Sequence, residues 1–303
     1  MKQLTKKRIA APFLALSPML VLLAAIVAAI IVIAFIGIFT GKNEEEITAI
    51  AESGIADEIC MGITAVCSFA IVKKCRGVRP RDVFHVKNFD PAVPVMLFIF
   101  MWSGAEIFDH ISGIILSNFI TIEPNSSSFS GIWGFICTVI LAPVFEEIVF
   151  RFAGTEIPRG AYSLPLICIA NGLYFSAVHG YNLQGFLHIV IFGAVMAYVF
   201  CKTRNLFYTM IAHSLNNLCC FIPLGNFAYY EKNGFVLGKW HWLAINAVLF
   251  AAAAVYYIKV FRKKYTKNYF KVNKETGLPC SEDSPQVFEQ NSDMPLILME
   301  ELS

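Results

Sequence analysis

Charged residues are scarce in this chain. Lys and Arg number 24 and Asp and Glu 22 among 303 residues, 15% together, where soluble globular domains carry about 25%. Hydrophobic residues make up 57%, against about 45–50% in such domains. A soluble fold is excluded, and an all-α polytopic membrane protein is expected. The formal net charge is only +2, and no basic stripe with interleaved aromatics occurs, so no nucleic-acid partner is expected. There is no Cys-x-x-Cys pair and no secreted-domain cysteine spacing. Of the nine cysteines, Cys60, Cys67, Cys137, Cys168, Cys219 and Cys220 lie inside apolar runs and read as free, buried thiols. No His-Glu-x-x-His helix is present. The first apolar run is too long for a signal-peptide core and lacks a cleavage site, so it reads as a retained helix.

What the chain has instead is long apolar runs. They divide into about eight spans, near 12–40, 56–72, 94–120, 131–152, 164–178, 184–201, 206–224 and 240–261. Spans two and five are the weakest, because polar residues or short length can make either one interfacial. Lysine and arginine set the orientation. Lys2, Lys6, Lys7 and Arg8 precede span one, and Lys73, Lys74, Arg76, Arg79, Arg81 and Lys87 follow span two. Arg159, then Lys202 and Arg204, then Arg262, Lys263, Lys264 and Lys267 mark the same side. The opposite loops carry Glu44, Glu45 and Glu46, or no basic residue at all over 121–130. Both termini are therefore expected in the cytoplasm. Residues 1–263 form one transmembrane domain, and 264–303, polar and broken by Pro279 and Pro285, read as a mostly disordered cytoplasmic tail. No transporter-type repeat relates the two halves.

Polar residues inside these spans are costly, about 2.5–3.5 kcal/mol for a charge near the bilayer centre on insertion scales. They concentrate in the second half. Span four contains Glu146-Glu147-Ile-Val-Phe-Arg151. Glu147 and Arg151 are four apart and share a helix face, so they can pair. Glu146 lies about 100° round the helix and is the less committed carboxylate, suited to a general base. Pro143 removes a backbone hydrogen bond just upstream and can open the helix to water. Span five ends in Phe175-Ser-Ala-Val-His179, whose imidazole can share a water with Glu146, bind a metal, or snorkel beside Tyr181. Span seven carries His213-Ser-Leu-Asn-Asn217, and the imidazole and carboxamide one turn apart are donors of the kind an oxyanion hole needs. Depths agree loosely: at about 1.5 Å per residue, Glu146 and His213 lie roughly 10 Å from the cytoplasmic edge and His179 nearer 20 Å. His188, and Glu106 with Asp109 and His110, read as helix-pairing residues, and Asn171 suits helix–helix hydrogen bonding.

These three clusters, in this order on successive apolar helices, resemble the CAAX protease and bacteriocin-processing (Abi) family of intramembrane endopeptidases. The resemblance covers about 131–224. It implies an eight-helix membrane fold with the active site inside the bundle, and hydrolysis of a membrane-associated peptide or protein. By that resemblance Glu146 and His179 activate a water, His213 and Asn217 stabilise the oxyanion, and Glu147 and Arg151 orient the first pair. Two cofactor readings stay open: a zinc held by Glu146, His179 and His213 with water in the open position, or no metal. Thiol usage, length and tail resemble a bacterial member, hence a bacterial plasma membrane with lipid and a peptide substrate as partners. A non-catalytic immunity or scaffold protein that binds a peptide or membrane partner is the alternative.

Overall fold

The computed structural model describes residues 14, 16–41, 43, 45–46, 55–116, 131–180, 183–219 and 236–266. Besides a 3-10 turn at Pro80–Asp82, eight longer helical segments are present among them: α1 (Ser17–Thr40), α2 (Ile55–Arg76), α3 (Ala92–Leu116), α4 (131–156), α5 (Leu164–Ala177), α6 (Leu183–Thr203), α7 (Leu206–Cys219) and α8 (236–264). Six of them (α1, α2, α3, α4, α6 and α8) are long and apolar enough to cross a membrane. The protein is thus an all-α, multi-spanning membrane protein. Many large apolar side chains face outward, among them Leu20, Phe39, Val66, Trp133 and Val248. In a bilayer such faces meet lipid, while the backbone satisfies itself within each helix.

The span expected to be weak at 56–72 is a full 22-residue helix. The other weak span, α5, is 14 residues long, about 21 Å at 1.5 Å per residue. That is shorter than the roughly 30 Å hydrocarbon core. It stops because Gly180 adopts φ +64°, the left-handed conformation that ends helices cheaply only at glycine. The expected tail beyond residue 266 and the end of span seven past Cys219 lie outside the described residues.

The second half of α4 sits at the centre. All seven residues Glu147–Ala153 are buried, with Phe150 and Phe152 packed among Val72 of α2, Leu97 of α3, Met196 and Phe200 of α6 and Leu206 of α7. α1 packs on α2 and α8 on α3, where Phe100 and Phe250 stack at 4.6 Å. The tightest crossing is α5 on α6. A methyl group at Gly172 would lie 2.2 Å from the Val190 carbonyl oxygen, and one at Gly193 would lie 2.7 Å from Gly172 Cα. Two facing glycines let these backbones meet, as small residues do in membrane interfaces.

α4 changes register twice. Ile136–Leu141 and Glu147–Ala153 are π-helical, flanked by α-helical Gly131–Phe135, Ala142–Glu146 and Gly154–Glu156. Each π stretch closes with an i→i−5 bond, Ala142 N–H to the Cys137 carbonyl and Gly154 N–H to the Val149 carbonyl. In that register the carbonyl of Thr138 faces the nitrogen of Pro143, which has no hydrogen to give. At one end of the bundle the 77–91 connection is stapled to the α6–α7 corner. Asn205 Nδ2 donates to the His85 carbonyl at 2.8 Å, and Leu206 N–H donates to the Val83 carbonyl at 2.8 Å.

Candidate functional site

Glu147 and Arg151 form a buried ion pair, Nε to Oε2 at 3.2 Å, with both side chains fully buried. Removing two such ions from water costs several kcal/mol each, so further partners are needed. His213 of α7 supplies one: its Nδ1 lies 3.1 Å from Glu147 Oε1. Phe175 of α5 supplies another. The Arg151 guanidinium carbon stands 4.0 Å above its ring centroid, a desolvated cation–π contact of about 2 kcal/mol.

Glu146 faces a different set. Its Oε2 lies 3.9 Å from His179 Nε2 and 3.8 Å from His213 Nε2. Both imidazoles are oriented from behind. His179 Nδ1 lies 2.7 Å from the Phe175 carbonyl oxygen, which can only accept, so Nδ1 carries the proton. In the neutral ring Nε2 then presents its lone pair to Glu146. Glu147 Oε1 faces Nδ1 of His213 at 3.1 Å, and Phe192 meets that ring edge-on at 5.4 Å. The Phe-x-x-x-His spacing is thereby explained: Phe175, 1% exposed, carries Arg151 on its ring and His179 on its carbonyl.

Five of the six expected residues, Glu146, Glu147, Arg151, His179 and His213, come together. Asn217 is engaged elsewhere. Its Nδ2 donates to the Thr138 carbonyl at 2.9 Å, the acceptor left without a backbone partner by Pro143. The opening that Pro143 makes is closed by a neighbouring carboxamide rather than left to water. One N–H of Asn217 is committed to α4 two turns before Glu146.

The depth mismatch between His179 and Glu146 also resolves. α4 runs on to Glu156, four residues past the expected end at Phe152, which sets Glu146 about 15 Å from the helix terminus. The short α5 ends beside it. Of the other polar residues, Asn171 Nδ2 donates to the Phe150 carbonyl at 2.6 Å, as its position suggested. Glu106 Oε2 accepts from Trp242 Nε1 at 3.0 Å and Asp109 lies 3.7 Å from His188, so this group ties α3 to α8 and α6.

The residues nominated as zinc ligands can be tested on their spacing. Donors on a tetrahedral zinc at about 2.0–2.1 Å stand about 3.3 Å apart. Glu146 stands 3.8–3.9 Å from both histidines, and among the described residues no group of three His, Cys, Asp or Glu is arranged to hold a metal. The arrangement does not fit that ion as it stands.

Sequence reasoning passed over two features. Glu156, buried at the end of α4, pairs with Arg159 at 3.2 Å and with Arg204, while Arg76 donates to the Ile157 carbonyl. The residues were visible only as orientation markers. Glu58 of α2, beside the site, was hidden in a span read as weak.

A bundle of apolar helices with a buried carboxylate–histidine centre defines an all-α, multi-spanning membrane protein. Residues 128–219 match the family model described as type II CAAX prenyl endopeptidase Rce1-like. That match places the motif-bearing segment in the CAAX/Abi protease family. No curated protein and no solved structure matches the chain.

Proposed function

We propose that the chain is an intramembrane endopeptidase that hydrolyses a peptide bond of a membrane-associated substrate with a water activated between Glu146 and His179. The convergence of two imidazole Nε2 atoms on Glu146 Oε2, at 3.9 and 3.8 Å, carries the reading. Two acceptors at that separation can share one water at about 2.8 Å from each. The water gives a proton to Glu146 as its oxygen bonds to the scissile carbonyl carbon. The oxyanion so formed takes hydrogen bonds from an N–H at Nε2 of His213 and from the remaining N–H of Asn217. When the intermediate collapses the C–N bond breaks, and the proton on Glu146 passes to the leaving amine. Arg151 holds Glu147, and Phe175 holds Arg151 and His179, so the reacting groups are preorganised without touching substrate.

Eight membrane crossings belong to the same reading, the six long helices together with α5 and α7. The short pair bring His179 and His213 to mid-bundle. Both termini then lie in the cytoplasm, with 264–303 as a cytoplasmic tail and a bacterial plasma membrane as the setting. The test is Glu146→Gln in proteoliposomes carrying membrane-associated peptides. Loss of cleavage with unchanged folding and membrane insertion supports the reading. An unchanged rate removes it and leaves the non-catalytic peptide-binding protein.

A further inference from the structure

An open cleft of about 730 Å³ separates the first halves of α2 and α4. Its walls are apolar, with Ile59, Gly62 and Val66 of α2 facing Trp133, Cys137 and Phe145 of α4. The helices touch at its inner end, where a methyl group on Gly62 would meet the Phe145 ring at 3.3 Å. Phe145, at that end, immediately precedes Glu146 in the chain. Of the residues that line it, Glu58 alone has a carboxylate, and none has an amine or guanidinium. Glu58 Oε2 is buried and has no hydrogen-bond partner among the described residues. It also lies near enough to Glu146 to feel that charge.

A carboxylate without a cation in an apolar wall is expensive. The Glu147–Arg151 pair a short distance away shows how this fold treats such a group when it is purely structural. Among the described residues Glu58 has no such counterpart, and the open space beside it is large enough for one or two side chains. The chemistry complementary to this cleft is a single positive charge flanked by apolar surface.

We propose that Glu58 and the α2–α4 cleft form a specificity subsite for a peptide segment carrying one lysine or arginine among apolar residues. The ammonium or guanidinium pairs with Glu58 while the neighbouring side chains lie along Ile59, Val66 and Trp133. The term subsite rests on the proteolytic reading, but binding here requires no chemistry.

The experiment is therefore a binding measurement. The full chain is placed in nanodiscs of zwitterionic lipid. Two end-capped, dansyl-labelled leucine–alanine peptides are titrated, one with a central lysine and one with norleucine, with empty nanodiscs subtracted. The lysine peptide should bind about tenfold or more tightly, and Glu58→Gln should erase the difference. Ile63→Lys, on the cleft wall and half exposed to lipid, should erase it too by supplying a cation from within. This second variant serves if Glu58→Gln does not fold. Equal binding by the unaltered protein, or a preference that survives either folded variant, overturns the proposal. Neither result depends on cleavage, so loss of this subsite and loss of the proteolytic reading are told apart.

Discussion

His213 Nδ1 and Glu147 Oε1 meet at 3.1 Å, so the carboxylate that holds Arg151 also fixes the imidazole facing Glu146. One buried anion thereby couples the ion pair within α4 to a residue 66 positions later on α7. Glu147→Gln should leave Arg151 as an uncompensated buried charge and cost about 3–5 kcal/mol. Glu147→Gln combined with Arg151→Met should recover most of that stability, because the unpaired charge is gone. It should recover no cleavage, because His213 has lost its anion. Thermal unfolding and a peptidase assay on the two variants measure both effects.

His179 is oriented by a main-chain carbonyl, and its ring contacts Phe175 at a centroid distance of 4.4 Å. Phe175→Leu keeps the carbonyl but removes the ring beneath Arg151. Stability should fall by about 1–3 kcal/mol. Cleavage should fall mainly in kcat, since Phe175 touches no substrate in the proposed mechanism.

Asn217 has an observed structural contact with Thr138 and a proposed oxyanion role, and substitution can separate them. Asn217→Ala strips the Thr138 carbonyl of its donor and should cost about 1–3 kcal/mol. Pro143→Ala restores a backbone N–H to α4. In that background Asn217→Ala should destabilise less, while its effect on kcat stays the same. An equal stability loss in both backgrounds contradicts the assignment of Thr138 as the carbonyl that Pro143 deprives.

Gly172→Ala should be among the most damaging small substitutions. Its methyl group would fall 2.2 Å from a main-chain oxygen, which no side-chain rotation relieves. Overpacking of this kind costs about 1–3 kcal/mol. It also moves α5, so His179 should lose register with Glu146 and cleavage should drop well beyond the loss of folded protein. Gly41→Ala, with open space around it but φ +65°, reports backbone strain without a clash and so separates the two costs.

Outside the spans, Lys264 Nζ donates to Asp90 Oδ2 at 2.8 Å. That hydrogen bond holds the Asp90 carboxyl below its usual range, helped by the Ala92 N–H and opposed by partial burial. A depressed carboxylate contributes stability that is complete above its unfolded value of about 3.9. The contribution is lost as pH falls through the lower folded value. Lys264 is about half exposed, so the pair is worth under about 1 kcal/mol. Lys264→Met should therefore lower the melting temperature slightly at pH 7, and the difference should shrink toward zero as acid takes the pH below the ordinary carboxylate range. A difference that grows on acidification contradicts the sign.

The all-α, multi-spanning character was legible in composition alone, because lipid tolerates few unpaired polar groups and forces long apolar runs. The Glu147–Arg151 pair was equally legible, since a four-residue spacing makes neighbours within one helix whatever surrounds it. Which helix faced Glu147 from outside was not. The partnership with His213, the engagement of Asn217 by Thr138 and the cation–π contact of Arg151 with Phe175 depend on how separate helices tilt and rotate. No local period encodes that. The two π segments were invisible for a related reason: a widened turn keeps the same apolar composition and differs only in which carbonyl each N–H reaches. The extension of α4 to Glu156 placed His179 beside Glu146, where a span ending at Phe152 had set them about 10 Å apart in depth. Sequence alone therefore determined which side chains were too costly in lipid to be idle. Tertiary packing decided which of them share a site, because that depends on distances between helices that only the closed bundle sets.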